Sequence, residues 1–342
     1  MNIRLHLTTL TDCNFNMAPA PAFNRQHATG SVLGLATGEA LALPYVSSPE
    51  KVDKGVTMIS GGDWSEGEWG PSTAMALAVL SAMNEAVIYN REKWADYLAV
   101  RWVEWAHSEG KGLDSRTRDL LRSVSREEAS EEALASRAKA SGGAGALPVA
   151  HVAPLALLFL GEDQEADLAK AADRLARMTH PEEDAREAAV LVALMMQQAA
   201  RYGSVSIEEQ IKYLPTGSQD KWEQLLKEGG DAASFNSIHV KSSDANKASV
   251  AVLQSAVAAF RSRSAVENVL IQAVRSTANA HVAAVAGALT GGDEGSRELP
   301  ATWTSKLHGE NLNGRGSAVD AITKDVENVV NRTYQWDPYK VD

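Results

Sequence analysis

One cysteine, Cys13, stands among 342 residues. No internal disulfide can form and a zinc site built on several cysteines is excluded, which points to a reducing cytoplasm. Aromatic residues are sparse, at 6%, and do not interleave with Lys or Arg as a nucleic-acid groove requires. Positive charge is also in deficit: 33 Lys and Arg against 44 Asp and Glu leave a formal net charge of -11. Nucleic acid is therefore not an expected partner, though a locally basic pocket could still hold a phosphate. No run of about 18 apolar residues free of charge occurs, so no membrane-spanning helix and no membrane partner are expected. The N-terminal stretch MNIRLHLTTL has only a brief apolar patch, broken by His6 and Thr8, and makes a poor signal peptide.

What the chain does have is alanine-rich apolar sequence suited to closely packed helices. An all-α fold is expected, as one compact multi-helix domain over 28–335 with an irregular lead at 1–27 and a tail at 336–342. Periodicity predicts a first helix over 28–43 stopped by Pro44, and a second over 73–89 with Ser72 as its N-cap. Further helices are expected over 92–107, 114–123, 149–160, 162–178, 183–201 and 248–261. A single long helix is predicted over 264–289, ended by Gly291-Gly292, and a terminal one over 318–330. Residues 126–140 read as a solvated helix or linker. The polar stretch 203–246 gives only short helices, near 207–213 and 221–227. Trp94, Trp102 and Trp105 share a helical spacing and read as core.

Two stretches organise the rest. In GSVLGLATGEALALP, glycines at 30, 34 and 38 share one helix face and let a second backbone approach closely. In GGDWSEGEWGPSTAMALAVLSAM, a glycine-rich loop runs into a helix at Pro71-Ser72-Thr73, where unpaired N–H groups and the helix dipole favour an anion or a metal-bound phosphate.

Together these stretches resemble the ADP-ribosylglycohydrolase family, whose helix G-x-x-x-G-x-x-x-G-D-A and segment W-T-D-D-T-A-M-A-L flank a two-magnesium site. Later segments are similar in the same order: Gly112 to Thr117, Gly143-Ala144-Gly145 followed by His151 to Leu155, Thr179-His180, Ala286 to Leu289, and Pro300 to Trp303. The resemblance implies a fold of that type and a cleft for ADP-ribose or a related nucleotide. Where it implies aspartates, this chain has Pro71-Ser72 and Ala278-Asn279-Ala280-His281, and Val46 aligns near a further acidic position.

Magnesium needs hard oxygen donors and usually one or two carboxylates, so no metal and no cofactor are expected. The leading expectation is a pseudoenzyme that binds ADP-ribose, a related nucleotide or a protein partner. The alternative is an active hydrolase of ADP-ribosyl groups with a rearranged site, for which alone magnesium is implied. Candidate catalytic residues are Glu39 and His281. Candidate ligand contacts are Ser72, Thr73, Gly142, Gly143, Gly145, His151, Thr179, His180 and Asn279. The Gly142 to Gly145 loop reads either as a phosphate-binding nest or as a plain connector. His281 and His180 read either as site groups or as structural histidines. Asp63, Glu66 and Glu68 offer a relocated metal site with Glu39 as a lesser reading.

Overall fold

The computed structural model describes residues 23–142, 145–229, 248–262, 264–276, 279–312 and 316–335. Among them no strand is formed, and helices pack on helices throughout. The centre is α1, Arg25–Val46, in which every residue from Ala28 to Tyr45 is buried. A helix apolar on all faces belongs inside a domain rather than on its surface.

Its main neighbour is α12, Ala280–Glu294. A Cβ added to Gly30, Gly34 or Gly38 would lie 2.0, 2.0 and 1.9 Å from the carbonyl oxygens of Gly291, Gly287 and Ala283. The partners descend along α12 as α1 ascends, so the two helices run antiparallel with backbones in direct contact. The four-residue glycine spacing is thus a seam between helices.

The second core helix, α2 (Pro71–Tyr89), packs on α1 and on α14 (Ala318–Gln335). It is the one described helix long and apolar enough to cross a membrane, where the sequence led us to expect none. Two thirds of its apolar window, 67%, is buried inside the domain, as for a core helix. Around this centre lie α3 (Trp94–Ser108), α4 (Ser115–Arg122), α5 (Glu131–Ser141), α6 (Leu147–His151), α7 (Glu165–Arg177) and α8 (Glu183–Tyr202). The remaining helices are α9 (Thr216–Gly229), α10 (Ala248–Arg261), α11 (Val266–Ser276) and α13 (Ala301–Thr304). Trp94, Trp102 and Trp105 are buried, as their spacing predicts.

Several boundaries differ from expectation for identifiable reasons. Helix α1 begins at Arg25 and continues through Pro44 to Val46, the proline costing it the one N–H bond that would reach the Ala40 carbonyl, and ends two residues later. The predicted helix over 264–289 is two, α11 and α12. Asn279 is extended and its side chain accepts from the His281 N–H at 2.9 Å, starting α12 afresh. Gly291-Gly292 does not end α12, which runs to Glu294: Gly291 is there for the approach of Gly30. The apolar run 149–160 is the short α6 followed by a 3-10 turn, Ala153–Leu158, with Pro154 near its start. The short helices expected near 207–213 and 221–227 are a 3-10 turn, Glu208–Tyr213, and the longer α9; the lead at 1–22, residues 230–246 and the tail at 336–342 lie outside the described residues.

The long connection between α1 and α2 is pinned down rather than loose. The Tyr45 hydroxyl bonds both the N–H and the carbonyl of Thr57. At its far end the Trp69 N–H donates to the His308 carbonyl at 3.0 Å, and the His308 N–H donates to that of Gly67 at 3.1 Å. The start of α2 therefore sits in a fixed frame, with Asn311 donating to the Ala74 carbonyl.

Candidate functional site

Helix α2 begins at Pro71 with Gly70 as its N-cap, two residues earlier than a Ser72 cap would require, because Pro71 is preset for the first helical position. Ser72 and Thr73 thereby fall in the first turn with unpaired N–H groups. These are taken by Glu39, the sole charged residue between Ala28 and Tyr45: its Oε1 accepts from Ser72 N at 2.9 Å and its Oε2 from Thr73 N at 2.8 Å. Glu39 is fully buried. A carboxylate at a helix N-terminus, with one N–H on each oxygen, is held by charge-assisted bonds and by the helix dipole.

We expect Glu39→Gln to destabilise the protein by about 2 kcal/mol, since an amide loses the charge and turns a donor toward an N–H. Urea unfolding measures this. An unchanged midpoint would mean the carboxylate is not the cap of α2.

The seam of α1 and α12 brings His281 to the same place. Its Nδ1 lies 2.7 Å from the Ser72 hydroxyl oxygen. Burial lowers the His281 pKa, and the charges of Glu39 and Asp114 oppose that only in part. The residue as a whole is half-buried.

Two further histidines converge on this corner. His180, in the turn after α7, is buried with Nδ1 2.9 Å from the Thr179 hydroxyl. Its Nε2 faces Gly145, where an added Cβ would come within 2.8 Å, so the glycine is required by the ring. Burial pushes His180 down to about 4; Asp114 works against this, while His281 and Arg116 add to it. His151, at the end of α6, is fully buried and packs on Trp102 with ring centroids 5.0 Å apart. Burial holds its pKa well below the usual imidazole range, with His180 and His281 adding to the effect. All three rings are therefore neutral at pH 7.

The expected residues thus divide. Glu39, Ser72, Thr73, Asn279 and His281 form one bonded cluster, and Thr179, His180 and Gly145 form a second beside it. Asn279 serves as the cap of α12, and Gly142, with φ +60°, is the C-cap of α5. Gly143 lies outside the described residues. Ser249 on α10 holds the Gly145 carbonyl from behind. Sequence reasoning passed over Asp114 and Arg116, exposed residues that bear electrostatically on His180. Their signal was local: Asp114 caps α4 by accepting from Thr117 N at 2.9 Å.

The relocated acidic site is not formed. Glu68 pairs with Lys111 and Glu66 with Lys306, away from Glu39. Among the described residues no group of three His, Cys, Asp or Glu side chains could hold a metal ion. Chemically, the corner offers neutral imidazoles, the hydroxyls of Ser72, Thr73 and Thr179, and in Glu39 a carboxylate whose oxygens are each already engaged.

No curated protein matches the sequence. One solved structure, titled "ADP-ribosylglycohydrolase-related protein complex", shares the fold with a TM-score of 0.64 at 22% identity, over 90% of this chain and 98% of that one. The sequence pattern of the ADP-ribosylglycohydrolase family matches residues 20–338, and the chain belongs to that family.

Proposed function

We propose that the cleft bounded by Ser72, His180 and His281 binds ADP-ribose or a related nucleotide without a dinuclear magnesium centre and does not hydrolyse it. The family acts on ADP-ribosyl substrates, which supports the ligand class. The observation that carries the rest is the engagement of Glu39: each of its oxygens accepts a backbone N–H of α2, while the Ser72 hydroxyl is tied to His281. Two magnesium ions need several free oxygen donors, carboxylates among them, and these residues do not fit that demand. Imidazole nitrogen is a poor donor for a hard cation, and a neutral serine hydroxyl does not replace the charge of the missing carboxylates.

A second reading has one observation in its favour. His281 is partly exposed and held through Nδ1, so in a rearranged hydrolase its ring could serve as a general base with Glu39 beside it. Calorimetry separates the two. We expect ADP-ribose to bind with the same affinity in EDTA and in magnesium, with no release of ADP-ribose from a modified protein. Binding that vanishes with the chelator, accompanied by such release, would establish the hydrolase. If no nucleotide bound, the cleft would serve a protein partner instead.

A further inference from the structure

We infer that the outer face of α7 is a contact surface for a second copy of this chain, laid antiparallel to the first across a two-fold axis. The inference does not depend on what the cleft binds.

The pattern lies in the order of the charges. Glu162, Asp163 and Asp167 stand exposed at the start of α7 and in the turn before it, and Lys170, Arg174 and Arg177 stand exposed along its second half. Asp167, Lys170, Arg174 and Arg177 follow one another three or four residues apart, so they share one stripe of the helix. One end of the stripe is negative and the other positive. A two-fold contact sets a surface against itself in reverse order, and here acidic start meets basic end twice. A parallel pairing would oppose like charges.

The acids that break the pattern are already committed. Asp173 is held by Arg177 and Arg186, and Glu165 is turned to Arg201. Lys170 and Asp167 pair with each other, but their side chains keep 76% and 64% of their surface. So exposed a pair contributes little, and exchanging it for partners across an interface costs little.

Charge sets orientation more than affinity, and shape supplies the rest. On the α8 side of α7 runs a groove of about 770 Å³ whose floor includes Ala169, Val190 and Leu214. Ala166, small and exposed, lies at its edge and lets a second helix come close. In a two-fold contact the α7 of each copy enters the groove of the other, so the apolar floor is covered twice.

Sedimentation velocity of the full chain tests this at concentrations up to about 300 µM, since a contact built on one helix from each copy stands at the weak end of protein interfaces. A monomer–dimer equilibrium is expected, about tenfold weaker in high salt than in low. Glu162→Lys with Asp167→Lys makes the stripe basic throughout, and Lys170→Glu with Arg177→Glu makes it acidic throughout. Each variant alone should dimerise about tenfold more weakly than wild type, and the two mixed should form a heterodimer at least as tight as the wild-type dimer. Circular-dichroism melting checks that both fold; should either fail, the single changes Asp167→Lys and Lys170→Glu carry the same test. A wild-type chain that stays monomeric over the whole range would overturn the inference. So would a dimer that neither variant weakens, or two variants that do not pair when mixed.

Discussion

Gly34→Ala is expected to cost about 3 kcal/mol and to lower the melting temperature by roughly 4 °C. The added methyl would lie 2.0 Å from the Gly287 carbonyl oxygen and 2.8 Å from its carbon, so the clash is with backbone that cannot rotate away. Helices α1 and α12 would have to separate by an ångström or so. Because α1 carries Glu39 and α12 carries His281, the separation would also lengthen the Ser72–His281 contact of 2.7 Å. The loss should therefore appear twice, in melting and in ligand affinity. Gly217→Ala supplies the contrast: nothing lies within 4 Å of its added Cβ, and this helical position should tolerate alanine without loss. Equal melting of Gly34→Ala and wild type would mean the helices do not meet along this seam.

Acidification is expected to unfold the protein earlier than its carboxylates alone require. In the folded chain His180 titrates near 4, against 6.5 for a free imidazole, because burial disfavours its charged form. Between those two values the unfolded chain binds more protons than the folded one. The stabilisation is thus complete above pH 6.5 and drains away as pH falls toward 4. For His180 the full difference is about 3 kcal/mol, of which about 2 kcal/mol is lost between pH 7 and 5. His151 and His281 are displaced in the same direction and add to the loss. Urea midpoints at pH 7 and pH 5 should therefore differ sharply in wild type and less in His180→Asn. A variant with the same pH slope as wild type would place the proton uptake elsewhere.

The parts of this molecule that were legible in its sequence are those governed by spacing along one element. The glycines at 30, 34 and 38 announced a close helix contact, and the tryptophans at 94, 102 and 105 announced a buried face. What escaped was set by distant partners. Ser72 reads locally as an N-cap, but the cap of α2 comes from Glu39 on another helix, and Pro71 moves the helix start to accommodate it. Glu39, Ser72 and His281 were each nameable as candidates, yet their mutual bonding depends on the α1 and α12 seam, which no local pattern encodes. The break before α12 was hidden because Ala280 to Leu289 continues the alanine-rich period, and only the side chain of Asn279 marks a new beginning.

On the function proposed above, a nucleotide is held at this corner without divalent ions, by protein groups already bonded to one another. Crystals grown with manganese and ADP-ribose test this directly, through the anomalous signal of the metal. The predicted result is nucleotide in the cleft and no anomalous peak between Ser72 and His281. Two peaks there, bridged by solvent and drawing Glu39 away from the start of α2, would contradict it.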